Sequence, residues 1–281
     1  MIPALPLLNP FQGVNPEKVT MNPLDENPGR SSSNRSLLRG ADILRAFRPG
    51  SDLLGNGEIA ERTGLSTSTV SRLTQTLVAA GLLQQDRTRR AYRLAPLVLS
   101  LGHAMRSGSQ VLGIAAPRMR ALAERERINV GLAYPDRDEM VYLESIRYNR
   151  RLALRNVVSG QRVPMELTSL GQAYLATAPK ERLRVLEPIF KRRNGKHWPA
   201  IKTTLDASMA CMHQHGYCWA SWQPEVLALS TAFESAEGIC VLNVSVSTPE
   251  HVDVWIKTLA PHLLRLKEEI VLEMTKLSAV F

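Results

Sequence analysis

Two short runs of helical spacing, separated by Thr63-Gly64-Leu65-Ser66, constrain the fold of this chain more than anything else in it. In the first, Ile59 and Ala60 mark an apolar side that closes at Gly64. In the second, Val70, Leu73, Leu77 and Val78 recur at three and four residues until Gly81. The glycine permits the tight turn that sets two helices at a steep angle, a helix-turn-helix pattern. Asn56 and Ser66 are the expected N-caps, because short polar side chains accept from the free N–H groups of a first turn. A preceding helix is expected from Ser36, its cap, to Phe47, with Leu37, Leu38, Ala41, Ile43 and Leu44 on its stripe and Pro49-Gly50 as its stop. After Gly81, Leu82-Leu83 and Tyr92-Arg93-Leu94 flank a polar tip that includes Asp86, Arg87, Arg89 and Arg90. Two short strands around such a tip form a β-hairpin, the wing of a winged helix-turn-helix over residues 36–95.

Residues 1–35 have a different composition: six of the 17 prolines, five asparagines, the run Ser31-Ser32-Ser33 and charges that cancel. Such a stretch buries too little apolar surface to offset its ordering entropy, so a flexible arm is expected, with Arg30 and Arg35 available to a minor groove. The opening MIPALPLLNPF lacks a basic region and is broken by Pro3, Pro6 and Pro10, which argues against a signal peptide. No apolar run approaches the roughly 18 residues of a membrane span. Three cysteines in 281 residues, Cys211, Cys218 and Cys240, argue against a disulfide framework and for free thiols in a reducing cytoplasm.

Residues 96–127 read as linker helices, with Leu97, Val98, Leu101, Ile114, Met119, Leu122 and Ala123 on their apolar faces. Beyond Ile128 the period shortens. Residues 129–134 and 139–146 have the pattern of a hairpin turning at Pro135-Asp136, and residues 152–158 are a further candidate strand. Helices are expected at about 168–177, 180–190 and 203–215, strands at 217–222, 227–233 and 238–247, and a closing helix at 251–277, interrupted or kinked at Pro261. That order makes residues 128–281 an α+β domain around one central antiparallel sheet.

Charge narrows the function. The 35 Lys and Arg against 26 Asp and Glu give a formal net of +9, which favours a polyanionic partner only if it is concentrated. Residues 36–106 carry ten basic and five acidic side chains, while the last 175 residues contribute +4. In the second helix of the pair, Ser66, Thr67, Ser68, Thr69, Ser71, Arg72, Thr74, Gln75 and Thr76 are polar against the apolar stripe. Hydroxyls, an amide and a guanidinium suit base edges and phosphates in a major groove wide enough for a helix. Arg72 is the strongest candidate, since its fork can bind guanine or phosphate bidentately. Arg87, Arg89, Arg90 and Arg93 around the wing tip suit backbone phosphates or the minor groove. Phe47 and Tyr92 are the only aromatic residues in this segment, too few for base stacking on RNA, so double-stranded DNA is the expected partner.

The segments Arg35-Ser-Leu-Leu-Arg-Gly-Ala-Asp-Ile-Leu44, Glu58-Ile-Ala-Glu-Arg-Thr-Gly-Leu-Ser66, Ser68-Thr-Val-Ser-Arg-Leu73 and Tyr92-Arg-Leu94 resemble the DNA-binding half of IclR-type regulators, named for the isocitrate lyase regulator. Val141-Tyr-Leu143, Gly160-Gln-Arg-Val-Pro164, Thr168-Ser-Leu-Gly171, Gly216-Tyr217 and Asn243-Val-Ser-Val-Ser247 are similar, in order, to that family's effector domain. The resemblance covers residues 35–277. It implies a bacterial transcription factor, dimeric or tetrameric, with a winged helix-turn-helix, a linker helix and a GAF-like effector domain, and with no cofactor. Such proteins repress or activate operons for the catabolism of small carboxylic or aromatic acids.

The resemblance further implies an effector site at the turn Thr168-Ser169-Leu170-Gly171, whose free N–H groups would hold a carboxylate, with Ser245 and Ser247 on one face of a strand. The family's acidic residue just after the Gly-Tyr and its cysteine further on are absent from the segment that follows Gly216-Tyr217. In their place Trp219 and Trp222 are candidates for the wall of a pocket for a larger or aromatic acid, Trp222 equally for the core, and Leu170 alters the pocket's shape.

Two other readings stand beside this one. Cys211, His213, His215 and Cys218 place thiols and imidazoles within eight residues, donor types that suit zinc, although at a spacing unlike a known finger. No Walker loop, G-x-G-x-x-G, G-x-S-x-G or H-E-x-x-H occurs, so no enzyme is expected. The alternative is a small-molecule sensor or enzyme domain without sequence-specific DNA binding, which leaves the Arg-bearing polar helix unexplained.

Overall fold

The computed structural model describes residues 34–148, 158–223, 226–247 and 252–278. The expected arm, apart from Asn34 and Arg35, and the candidate strand at 152–158, apart from Val158, lie outside these residues. The chain divides into two compact units, with the division between Gly108 and Ser109.

The first unit contains α1 (Arg35–Ala46), β1 (Leu54–Gly55), α2 (Asn56–Thr63), α3 (Thr67–Ala79), β2 (Leu83–Asp86), β3 (Ala91–Leu94) and α4 (Pro96–Gly108). Ile43, Leu54, Ile59 and Val70, one from each of α1, β1, α2 and α3, are sealed from solvent at its centre. Fully burying each such side chain is worth about 1.5–3 kcal/mol. Two of the expected caps shift by one or two residues. Asn34 rather than Ser36 caps α1, its Oδ1 accepting from Ser36 N at 3.1 Å and Leu37 N at 3.2 Å. Gly55 rather than Asn56 precedes α2, because Glu58 Oε2 reaches back to accept from Gly55 N at 2.8 Å. Ser66 caps α3 as expected, and Gly64 takes the left-handed φ of +69° that the turn requires. The wing carries a third strand: β1 pairs with β3, giving the order β1-β3-β2.

In the second unit α5 (Gln110–Glu126) leads into β4 (Asn129–Asp136), β5 (Glu139–Ile146) and β6 (Arg162–Pro164). Three helices follow, α6 (Ser169–Thr177), α7 (Lys180–Asn194) and α8 (Trp198–His215). Then come β7 (Cys218–Gln223), β8 (Val226–Ser235), β9 (Gly238–Ser247) and α9 (Val252–Ser278). The six strands form one antiparallel sheet in the order β6-β5-β4-β9-β8-β7. Side-chain alternation sorts β9 onto two faces. Cys240, Leu242, Val244 and Val246 join the core made with α5 and α9, while Val241 joins a second core made with α6, α7 and α8. The expected α+β class therefore holds, with helices on both faces of the sheet.

Several boundaries differ from the expectation. The first hairpin turns at Arg137-Asp138, with Arg137 at φ +56°, and Pro135 belongs to β4. Proline is tolerated there because β4 pairs with β9 only as far as Ala133, so no ladder bond on that side is lost. Helix α9 runs on through Pro261 without interruption, held by Ile256, Leu259, Ala260, Leu263, Leu266 and Ile270 against the sheet. Among the described residues no helix is long and apolar enough to cross a membrane.

Candidate functional site

Two groups of side chains stand out, one in each unit. In the first unit α3 buries Val70, Leu73 and Leu77 and turns Thr67, Ser68, Arg72, Gln75 and Thr76 to solvent. Thr74 does not share that face. It is sealed in the core, its Oγ1 donating to Val70 O at 2.9 Å, so it belongs to packing rather than to an outward surface. Ser66 Oγ is engaged at the helix start, bonded to Thr69 Oγ1 at 2.9 Å and accepting from Thr69 N at 3.3 Å. Ser71 is half-buried beside the exposed Arg72.

The wing places Arg87, Arg89, Arg90 and Arg93 in solvent around one carboxylate. Asp86 Oδ1 accepts from Arg89 N at 3.0 Å and Oδ2 from Arg93 Nη2 at 2.9 Å. These bonds, the backbone one first, hold the Asp86 carboxyl below its ordinary pKa. Asp86 thus fixes the tip with one carboxylate among four guanidinium groups, so the tip keeps a net positive charge. Arg90 takes a left-handed φ of +50° at the turn.

In the second unit the sheet face under α6 changes character along β9: Val241 is core, then Asn243, Ser245 and Ser247 are polar. Helix α6 begins beside it. Thr168 caps the helix, accepting from Gly171 N at 3.3 Å and donating to Pro164 O at 2.7 Å. A Cβ at Gly171 would overlap the backbone of Met165, so only glycine lets the helix lie this close to the preceding loop. Ser169 is buried and accepts from Ser230 Oγ at 2.8 Å, and Ser230 lies directly opposite Asn243 in the β8–β9 ladder. Asn243 in turn lies beside Tyr142 over Gly131, where an added Cβ would overlap both side chains. Burial pushes the Tyr142 hydroxyl up to about 12, opposed by Arg147 and by Asn243. Arg147 Nε and Asn243 Oδ1 are shut from solvent without a hydrogen-bond partner.

The structure therefore gathers Ser169, Ser230, Asn243 and Tyr142 into one contiguous polar chain, with Ser245 next along the strand and buried. Ser247 lies at the exposed end of β9. Leu170 packs into the apolar core beneath α6. The two tryptophans do not form one wall: Trp222 packs on the α6 side of the sheet and Trp219 on the opposite side, against the core of α5 and α9. Strand alternation separates them, because a spacing of three residues puts two side chains on opposite faces of a strand. Of the residues missed at first, Tyr142 and Asn243 lay within quoted motifs, and Asn243 shares the parity of Ser245. Ser230 and Arg147 carry no local signal.

Cys211, His213, His215 and Cys218 do not converge. Cys218 is buried in β7 with its Sγ 3.4 Å from Ser169 O, and His213 Nε2 lies 2.8 Å from Ala176 O. No group of three metal-ligating residues occurs among the described residues.

A helix-turn-helix with an Arg-rich wing, in one chain with an α+β unit that carries a polar sheet face beside a helix start, defines a two-domain helix-turn-helix protein. The family model described as "IclR helix-turn-helix domain" matches residues 36–87, and that described as "Bacterial transcriptional regulator IclR C-terminal" matches residues 103–252. The chain belongs to the IclR family, whose members are transcriptional regulators rather than enzymes. It is 35% identical over 184 residues to the HTH-type transcriptional regulator TsaQ1/TsaQ2 of Comamonas testosteroni, a match spanning 65% of this chain and 66% of that one. An IclR family regulator from Brucella abortus has the same architecture at a TM-score of 0.78 and 32% identity, covering 90% of this chain and 98% of that one. The fold is also that of an IclR homolog from Microbacterium hydrocarbonoxydans, complexed with 4-hydroxybenzoate, at a TM-score of 0.62 and 23% identity over 87% of this chain and 99% of that one.

Beside the start of α6, Glu166 is buried, its Oε1 accepting from Asn194 Nδ2 at 2.9 Å with Arg193 Nε at 3.6 Å, while Oε2 has no partner. Burial raises its pKa, outweighing Arg193 and Asn194. The folded state therefore holds this proton more tightly than the unfolded chain. Its contribution to stability is full below the ordinary carboxylate value and is lost as pH rises from there through the raised value of the folded state. Glu166→Gln is expected to be more stable than wild type at pH 7 in urea titrations, with the gain shrinking toward zero near about pH 4. A gain unchanged by pH, or a loss at pH 7, would contradict this.

Proposed function

We propose that this protein is a ligand-responsive transcriptional regulator that binds an operator as a homodimer and controls a catabolic operon for a small organic acid. The observation that carries the DNA reading is the α3 face beside the wing: Arg72 and Gln75 exposed on a helix whose apolar side is fully used, next to four exposed wing arginines around one carboxylate. Arg72 and Gln75 with Ser68 and Ser71 are assigned to the major groove, and Arg87, Arg89 and Arg90 to phosphates. Dimerisation is supported by α4, which buries none of its residues and leaves Leu97, Leu99, Leu101 and Met105 between 44% and 78% exposed. Two dimers pairing into a tetramer remain compatible with it. The site of action is the bacterial cytoplasm, where operators are.

The effector is assigned to the polar face under α6. Ser169, Asn243 and Ser245 supply hydroxyl and amide partners, and the Arg147 guanidinium supplies positive charge beside Tyr142. Such a set favours an acid that also carries a polar substituent, and Trp222 on the same side makes an aromatic acid a good fit. No reactive group is needed for this role, and no cofactor is assigned.

Gel shifts on a bound genomic fragment test the DNA reading. Arg72→Ala should cost about 1–3 kcal/mol and relax sequence preference, whereas Arg89→Ala should weaken all sequences and reduce the salt slope by about 1. The shifted complex should contain two chains, or four if dimers pair. Unchanged affinity in both variants, or one chain per complex, would overturn it. For the effector, 4-hydroxybenzoate heads a thermal-shift panel of aromatic and aliphatic carboxylates. At least one acid should raise the melting temperature of the wild type, and Asn243→Ala should abolish that shift. Failure of the whole panel would remove the organic-acid reading.

A further inference from the structure

The polar sheet face and the start of α5 are joined by a single hairpin. Strands β8 and β9 pair over ten residue pairs from Val226↔Ser247 to Ser235↔Gly238 without a register shift. Ser230 and Asn243, opposite each other, sit five residues from the tip on either strand, roughly 17 Å at the rise of an antiparallel strand. The tip is the two-residue turn Ala236-Glu237, closed by Gly238 at φ +112° and by Glu237 N donating to Ser235 Oγ at 3.1 Å.

Glu237 does not simply decorate this turn. Its Oε2 accepts from Ser109 Oγ at 2.7 Å and its Oε1 from Val111 N at 3.1 Å, while Ser109 Oγ accepts from Leu112 N at 3.1 Å. Tyr134 Oη adds a longer contact of 3.4 Å to the same carboxylate. Helix α5 has no acidic residue in its own first turn. The negative charge that a helix N-terminus favours, and the acceptor for one of its free N–H groups, are supplied across 126 residues of sequence by the tip of the hairpin. The residue held is also the one at which the chain passes between units: Ser109, at φ −79° and ψ 109°, is the single non-helical residue between α4 and α5.

We infer that Glu237 is a positioning residue that couples the state of the polar face on β8 and β9 to the backbone of the α4–α5 joint at Ser109. A change in how Ser230 and Asn243 are engaged shifts a stiff, fully paired hairpin, and the carboxylate at its tip tightens or releases the α5 cap. Release frees Ser109 from its extended conformation, so the joint has two arrangements that the sheet can bias. The inference rests on the effector reading above for its biological sense, but its test needs no effector.

Hydrogen exchange with mass spectrometry on the full chain reads the amides of residues 110–113 directly. Glu237→Gln keeps the size and removes the charge, and it should speed exchange of the Val111 amide about tenfold or more, as loss of a charge-assisted bond implies. Ser109→Ala, which removes the hydroxyl that donates to the other oxygen of the same carboxylate and accepts from Leu112 N, should also speed exchange across 110–113 and guards against an idiosyncratic effect of the first variant. Coupling is read from a double-mutant comparison. Asn243→Ala should change exchange at 110–113 by threefold or more when Glu237 is present, and leave it unchanged in the Glu237→Gln and Ser109→Ala backgrounds. An equal response to Asn243→Ala with and without Glu237, no response at all, or an unaltered Val111 amide in Glu237→Gln would overturn the inference. A failed acid panel with this coupling intact would remove the effector class and leave the clamp standing.

Discussion

The pairing of β4 with β9 is the constraint on which the second unit depends. It joins two hairpins about a hundred residues apart in the chain, the first made of β4 and β5, the second of β8 and β9, and it does so in the register that sets Gly131 opposite Asn243. A side chain at Gly131 would overlap Asn243 and Tyr142, so the absence of a Cβ there is what lets these two polar groups meet over the centre of the sheet. The same register puts Val130, Leu132, Leu242 and Val244 on the opposite face, against α5 and α9. A slip of one residue would exchange the two faces, sending the polar set into an apolar core. Packing and site are thus specified by one ladder.

The first unit is held differently. Its order comes from local devices: Asn34, Glu58 and Ser66 at helix starts, Gly64 at the turn, Asp86 within the wing. Arg62 adds one longer tie, donating to Ala46 O at 3.0 Å and to Ser51 Oγ at 3.3 Å, which fixes the end of α1 to the turn before β1. With the apolar stripe of α3 consumed by the core, Arg72 and Gln75 point their side chains to solvent, while Ser66, Ser68, Thr69 and Thr76 make local bonds along the helix. That freedom, with half of the chain's net charge in a quarter of its length, is the physical case for nucleic acid as the partner.

How much of this was legible in the sequence follows from the range of the interactions. Helix-turn-helix, wing and Ser66 were readable because caps, glycine turns and apolar spacing act over three or four residues. The cap shifts to Asn34 and Gly55 were not, because several polar residues compete at each helix start and tertiary geometry selects among them. On β9, period-two alternation puts Ser245 and Ser247 on one face, and Asn243, which the sequence reading does not single out, shares their parity. The same alternation separates Trp219 from Trp222, three residues apart, so the pocket wall expected of both is divided between the two faces of the sheet. At Pro261 an interruption or a kink is expected from the local penalty, and of these the interruption does not occur, because the apolar stripe that carries α9 through is long-range. Glu237 is the extreme case. Nothing near it in sequence hints that it serves a helix 126 residues away.

In the proposed regulator one unit reads DNA and the other adjusts that reading. Selection of fragments from the source genome by the full-length protein, sequenced with and without a stabilising acid, measures it most directly. Enrichment of a discrete two-fold symmetric site, with an occupancy that changes when the acid is added, is the expected result. Recovery of fragments without a shared site, or a site whose occupancy no acid alters, would contradict it.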